Sequence, residues 1–340
     1  MLISELSADL QCPQPLKASF LTPDCQLPLL LEWDTAVVQN IDFQCLLNWL
    51  TEHQTWLEER LLTYGGILFR GFPVATAEDF ELFVKTLKLT CAPYTQGLSP
   101  RNRVHNLVYT STEYPAYKPI TLHNELTYSS HPPKKKIFFC ETPPEEGGET
   151  PIVDSRVIYQ KMKPSIRNRF IEKQVCYFKR MPDGEKRTFD ILGKSWQQQF
   201  ETSDRQEVET YLIKENIDYA WQEDGSLTTR QFQPGVTEHP VTHEPIWSNQ
   251  VNQFHYSTYG ETGELLRKMV GEEALPINAF YGDGTAISPE TIQTIRELLL
   301  DKATLFHWQK GDVLMLDNLL VAHGRMPYVG DRRILTAMGN

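Results

Sequence analysis

The first stretch with a clear hydrophobic rhythm runs from Asp42 to Tyr64. Leu46, Leu47, Leu50, Leu57 and Leu61 recur there at helical spacing, and Gly65-Gly66 supplies a left-handed stop, so the pattern predicts a helix over 42–64. Ile67-Leu68-Phe69 reads as a strand and Arg70-Gly71-Phe72 as a turn. A second helix is expected from the cap candidate Thr76 to about Leu87, with Phe80, Phe83, Val84 and Leu87 on one side. The region from 1 to about 90 is thus expected to be mainly helical.

From about Pro119 the texture changes. Short β-rich runs such as Lys136–Cys140 and Ile152-Val153 alternate with Pro/Gly turns, as in Thr142-Pro-Pro-Glu-Glu-Gly-Gly148. Helices are predicted near Tyr159–Lys173, Asp204–Glu215 and Ser288–Lys302, the last with Ser288 as cap and Pro289 where its missing N–H costs nothing. Thr304–His307, Val313–Leu316 and Ile334–Ala337 read as strands. β segments on either side of a helix-bearing insertion, about 155–300, predict an α+β chain with a jelly-roll core, taken as one domain over 1–340. In such a core the first and last strands lie together, so distant residues can share a site. No strand–Gly-rich turn–helix unit supports a Rossmann or P-loop reading.

Composition narrows the function classes. Lys+Arg 33 against Asp+Glu 44 leaves a net charge of -11. That argues against sequence-blind nucleic-acid binding, which needs a basic face. The first fifteen residues carry Glu5 and Asp9 without a long apolar run, unlike a secretory signal. No stretch reaches the roughly 20 apolar residues of a membrane span. The six cysteines are scattered with no C-x-x-C pair, as in a reduced cytoplasmic protein.

The candidate chemistry begins at His123-Asn124-Glu125. On an extended backbone, residues i and i+2 point to one face, so imidazole and carboxylate can reach one ion. Two histidines and a carboxylate suit non-haem iron(II) and leave adjacent positions open. His323, after a short apolar run and before Gly324, is the candidate third ligand. An H-x-E alone arises often by chance, and the remaining histidines read as structural or solvated. His239 and His243 sit four apart, but Pro240 between them opposes a helical zinc face. Company strengthens the triad: Thr150 ends a Gly-Gly-Glu-Thr turn, and Arg332-Arg333 follow His323. A keto-diacid co-substrate needs an arginine for its distal carboxylate, because a planar guanidinium grips a carboxylate with two parallel bonds. Strand alternation lets only one of the two arginines point inward.

These residues sit within longer motifs: Val108-Tyr-Thr-Ser-Thr-Glu-Tyr-Pro115, Leu122-His-Asn-Glu125, Phe138-Phe-Cys-Glu-Thr-Pro-Pro-Glu-Glu-Gly-Gly-Glu-Thr-Pro151 and Lys194-Ser-Trp-Gln197. Trp247-Ser-Asn-Gln250, Asn278–Gly284, Trp308–Asp312 and Leu316–Arg325 continue the series. In this order, from about residue 60 onward, the chain resembles the taurine dioxygenase (TauD/TfdA) family of iron(II)/2-oxoglutarate enzymes, and more closely its SyrP-like branch.

The resemblance implies a double-stranded β-helix with helical insertions, iron held by His123, Glu125 and His323, and O2 and 2-oxoglutarate as co-substrates. By position Thr150 matches the family's 2-oxoglutarate threonine. Arg333 matches the arginine for the distal carboxylate, with Arg332 the alternative because the spacing varies. Glu125 replaces the more usual Asp, as in clavaminate-synthase-like relatives, and argues against halogenation, which would need Gly or Ala there. The implied reaction hydroxylates the side chain of an amino acid or derivative, free or tethered to a peptidyl carrier protein, in natural-product biosynthesis. Desaturation or ring closure is the variant within the class. Arg101, Thr112, Tyr128 and Arg325 are the candidate substrate contacts, the two arginines doubling as structural ion-pair candidates. A zinc hydrolase would have no use for Thr150 or Arg333, and an intact triad argues against an inactive jelly-roll binder.

Overall fold

The computed structural model describes residues 11–34, 36–37, 42–90, 103–111, 114–185 and 193–340. Its centre is a seven-stranded sheet in the order Leu16–Thr22, Cys25–Trp33, Gly66–Phe69, Val313–Asp317, Lys135–Thr142, Arg333–Gly339, Tyr109–Thr110. The central strands are continuous apolar runs because both faces are buried. Ile67, Phe69, Ile137, Phe139, Val313, Met315, Leu335 and Ala337 point to one side, into a core shared with helices Phe43–Glu52, Gln54–Tyr64 and Ala77–Thr86. The alternate residues Leu68, Phe138, Cys140, Leu314, Leu316 and Ile334 point to the other side. There they pack with Ile152 and Val321 of a three-stranded sheet, ordered Ile120–His123, Val321–Arg325, Ile152–Asp154. Two sheets face to face around one interior give the expected jelly roll.

Several local expectations change. The helix anticipated over 42–64 is two helices that break at His53, whose imidazole stacks on Trp49 with ring centroids 4.7 Å apart. Gly65 is the left-handed stop, at φ 77°, and a Cβ there would meet Val321 Cγ2 at 2.6 Å. Thr76 caps its helix through a capping box with Asp79. Among its described residues the N-terminal region also carries two strands that were not expected, Leu16–Thr22 and Cys25–Trp33, beside its three helices. Residues 304–307 form no strand; Thr304 makes a single bridge to Ile152. Pro164 divides the helix expected over 159–173 into Ser155–Lys161 and Pro164–Lys173. The insertion is richer in helix than in strand, as expected, but it also carries a four-stranded antiparallel sheet ordered Asp218–Trp221, Leu227–Gln233, Val175–Met181, Ile277–Tyr281.

One ion pair fastens a central strand to the loop preceding its neighbour. Asp312, fully buried, accepts from Arg70 Nε at 3.0 Å and Nη2 at 2.7 Å, and from the Gln309 N–H at 2.8 Å. Asp312→Ala leaves the mostly buried Arg70 guanidinium with only the His307 carbonyl as partner and is expected to cost about 3 kcal/mol in urea unfolding. Asp301→Ala, at an exposed helix end, is the control and should stay within about 0.5 kcal/mol of the parent.

Candidate active site

The three expected ligands arrive from two neighbouring strands and the turn after one of them. His123 ends its strand, and antiparallel pairing sets His323 directly opposite it. The two imidazoles lie with ring centroids 4.6 Å apart. Glu125 follows by two residues, and its Oε2 is 3.9 Å from His323 Nε2. Ligand atoms from all three residues fall within 4.8 Å of one another, and all three side chains are buried. His123 Nδ1 donates to the Thr121 carbonyl at 2.8 Å, which fixes the tautomer and turns the Nε2 lone pair toward the centre. The donor set suits iron(II). Gly324 allows the close approach, since a Cβ there would meet the Ile120 carbonyl at 2.6 Å.

A cavity opens beside the triad, lined by Lys136, Phe138, Thr150, Arg325, Arg332 and Thr336 among others. Three cations border it. Lys136 is fully buried and its Nζ lies 2.9 Å from Glu125 Oε2. Arg332 donates from Nε to the Gly148 carbonyl at 3.1 Å. Burial first, and Arg325 second, push its guanidinium down to about 10. Neither arginine makes an ion pair with a described residue, so the cavity carries positive charge that a bound dianion would compensate.

The arginine pair separates as strand geometry requires, but with the opposite member inward. Arg332, Ile334 and Thr336 line the cavity. Leu335 and Ala337 belong to the outer core, and Arg333 shares their side of the strand. Arg333 is about half exposed and pairs with Glu141 Oε2 at 2.7 Å. Of the two arginines, Arg332, the stated alternative, is the one that borders the cavity. Thr150 lies at the cavity, buried, accepting a hydrogen bond from Trp308 Nε1 at 3.0 Å.

The expected substrate contacts fare differently. Arg101 and Thr112 lie outside the described residues. Tyr128 is buried against Phe254, ring centroids 5.0 Å apart, and is not among the residues lining the triad cavity. Arg325 does border the cavity, but its terminal nitrogens donate to the carbonyls of Tyr114, Pro115 and Lys118 at 2.7–2.9 Å. It holds that loop rather than offering its fork to a ligand. Sequence reasoning read Lys136 only as the start of the β-rich run Lys136–Cys140 and gave it no role at the site. The available signal was parity: Lys136 is two residues from inward-facing Phe138.

Comparison with known proteins decides what this site belongs to. The family described as "Taurine catabolism dioxygenase TauD, TfdA family" matches residues 26–338. The chain belongs to that family. It is an iron(II)- and 2-oxoglutarate-dependent dioxygenase. The match is to the family as a whole and does not divide it into branches. The dapdiamide synthesis protein DdaC of Enterobacter agglomerans is 35% identical over 283 residues, covering 83% of this chain and 84% of that protein. A clavaminate synthase-like protein of Arabidopsis thaliana is 30% identical, with the same coverage. The crystal structure of the PvcB protein from Pseudomonas aeruginosa shares the fold at a TM-score of 0.56 and 16% identity, covering 97% of this chain and 93% of that one. Among the described residues no helix is long and apolar enough to cross a membrane.

Arg325→Ala leaves three carbonyls unpaired and is expected to lower unfolding free energy by about 2–4 kcal/mol in urea titration. Unchanged stability together with a raised substrate KM would instead make Arg325 a substrate contact.

Proposed function

We propose that this dioxygenase hydroxylates the side chain of an amino acid or amino-acid derivative in natural-product biosynthesis. In this reading His123, Glu125 and His323 hold iron(II), and Arg332 with Thr150 grips the distal carboxylate of 2-oxoglutarate. The observation that carries it is a buried two-histidine, one-carboxylate set opening onto a cavity bordered by Arg332, a cation without an ion-pair partner among the described residues. The substrate class is supported by the relative at 35% identity, a protein of dapdiamide synthesis. The substrate is free or tethered to a peptidyl carrier protein. Residues 1–340 act as one domain, in the cytoplasm.

When bound, iron, the keto acid and oxygen supply the oxidising power that turns an unactivated C–H into C–OH. The protein's own residues position and exclude. His123 presents Nε2 because Nδ1 is held by the Thr121 carbonyl. Lys136 engages Oε2 of Glu125 and so limits how that carboxylate can rotate. Phe138, edge-on to His323 with ring centroids 5.1 Å apart, keeps water off one side of the ring. Arg332 supplies the charge that a dicarboxylate needs at its far end.

Anaerobic titration with iron(II) and then 2-oxoglutarate tests the assignment through the weak visible band of the chelated keto acid. His123→Ala should show no band. Arg332→Ala should raise half-saturating 2-oxoglutarate at least about tenfold, the loss of a charge-assisted pair, while Arg333→Ala leaves it unchanged. No band in the parent protein, with zinc retained, would sink the reading.

A further inference from the structure

A second cavity lies between the four-stranded sheet and the helices packed on it. Strand alternation puts Tyr177 and Lys179 of Val175–Met181 on one face, and the neighbouring strand sets Thr229 opposite Lys179 and Gln231 opposite Tyr177. These four line the cavity, with Tyr128 and Tyr211 also in its wall. It shares no lining residue with the triad cavity, and no acidic side chain lines it, among the described residues. The Lys179 ammonium sits 4.6 Å from the centre of the buried Tyr128 ring and 5.7 Å from that of Phe254, and it makes no ion pair with any described residue. A lysine that merely snorkels carries its head out to water and rests its stem on apolar surface. Lys179 does the reverse, bringing its head to buried rings.

We propose that this cavity is a second binding site, for a small carboxylate carried on an apolar body, with Lys179 as the counter-cation. Burial, and to a lesser degree the nearby charge of Lys194, push the Lys179 amine down to about 8. Both effects disfavour an isolated cation, and a bound anion would relieve both. Aromatic faces stabilise an ammonium only in part and cannot substitute for a full negative charge. A metal ion is disfavoured because no carboxylate is among the described lining residues, and a cationic ligand because of Lys179 itself. A single amine without a guanidinium fork favours one carboxylate over a dianion. Tyr128 and Tyr177 offer flat apolar surface to the rest of the ligand, and Thr229 and Gln231 offer neutral polar groups beside the amine.

The experiment is calorimetric titration of the full chain with phenylacetate and with its uncharged analogue phenylacetamide. It is run anaerobically with iron(II) and saturating 2-oxoglutarate, so that the triad cavity is filled, and repeated on Arg332→Ala without co-substrate. The expected result is phenylacetate binding at least tenfold tighter than the amide, equally in Arg332→Ala. In Lys179→Met that preference disappears, and in Lys179→Arg it returns. The iron–2-oxoglutarate band, unchanged in Lys179→Met, reports an intact fold. No measurable binding to the parent protein, no preference for the acid over the amide, equal binding in Lys179→Met, or loss of binding in Arg332→Ala would each overturn the proposal. The comparison of acid with amide uses the parent protein alone, and so stands even where a variant fails to fold. It reads a cavity away from the iron, and its outcome is separate from that of the iron titration.

Discussion

Everything at the candidate metal site hangs on one register: the antiparallel pairing that puts His323 opposite His123. A one-residue slip of the strand carrying His323 would turn its imidazole to the other face of the sheet and leave His123 and Glu125 without it. Because the paired residues are far apart in sequence, the register needs fastening by more than two short strands. Asn318 provides it. Its carboxamide oxygen accepts from the Glu125 N–H at 2.7 Å, while its nitrogen donates to the carbonyls of Glu125 and Pro133 at 2.9 and 2.8 Å. Asn124 returns the contact, donating to the carbonyls of Asn318 and Leu319. Both asparagines are buried, and a buried network with its groups paired is rigid because any displaced member would be left without water.

The same period-2 geometry that builds the core also delivers the chemistry. The central strands bury aliphatic and aromatic side chains on their outer face, where the helices lie. Toward the triad they are allowed polar residues at selected positions: Lys136 beside Phe138, and Arg332 and Thr336 on either side of Ile334. A chain of net charge -11 thus keeps a cavity bordered by three cations. Overall charge speaks about partners in solution and says nothing about a pocket a few ångströms across.

Much of this was legible before the structure. The H-x-E spacing and the distal histidine needed only strand parity and the chemistry of iron. What was not legible is what tertiary contacts decide. Preferring Arg333 to Arg332 rested on position in the family resemblance alone. Parity from Leu335 and Ala337, which face the outer core, would have put Arg333 outside. That count was itself insecure, because the ladder is irregular between Arg333 and Ile334. The N-terminal strands escaped because Leu29-Leu30-Leu31 has no alternation; a strand buried on both faces reads like any apolar run. The break at His53 left the leucine stripe nearly continuous across two helices. Arg325 shows a further limit: sequence identifies a guanidinium but not whether carbonyls or a ligand will occupy its fork.

The insertion's part in the site is to brace the ligand-bearing segments from behind. Asn252, on the short helix Val251–Phe254, donates to the Leu122 carbonyl at 2.9 Å, just before His123. Phe254 packs edge-on to Tyr128, just after Glu125. From another part of the insertion, His239 Nε2 lies 3.3 Å from Asp317 Oδ2, whose other oxygen accepts from the N–H groups of Leu319 and Leu320. That is the turn carrying Asn318. The insertion therefore touches both segments that the Asn318 clasp joins. The core strands set which residues meet, and the insertion restricts how far they can move once they have met. A site assembled this way depends on two structural layers at once, which is why no contiguous stretch of the sequence contains it.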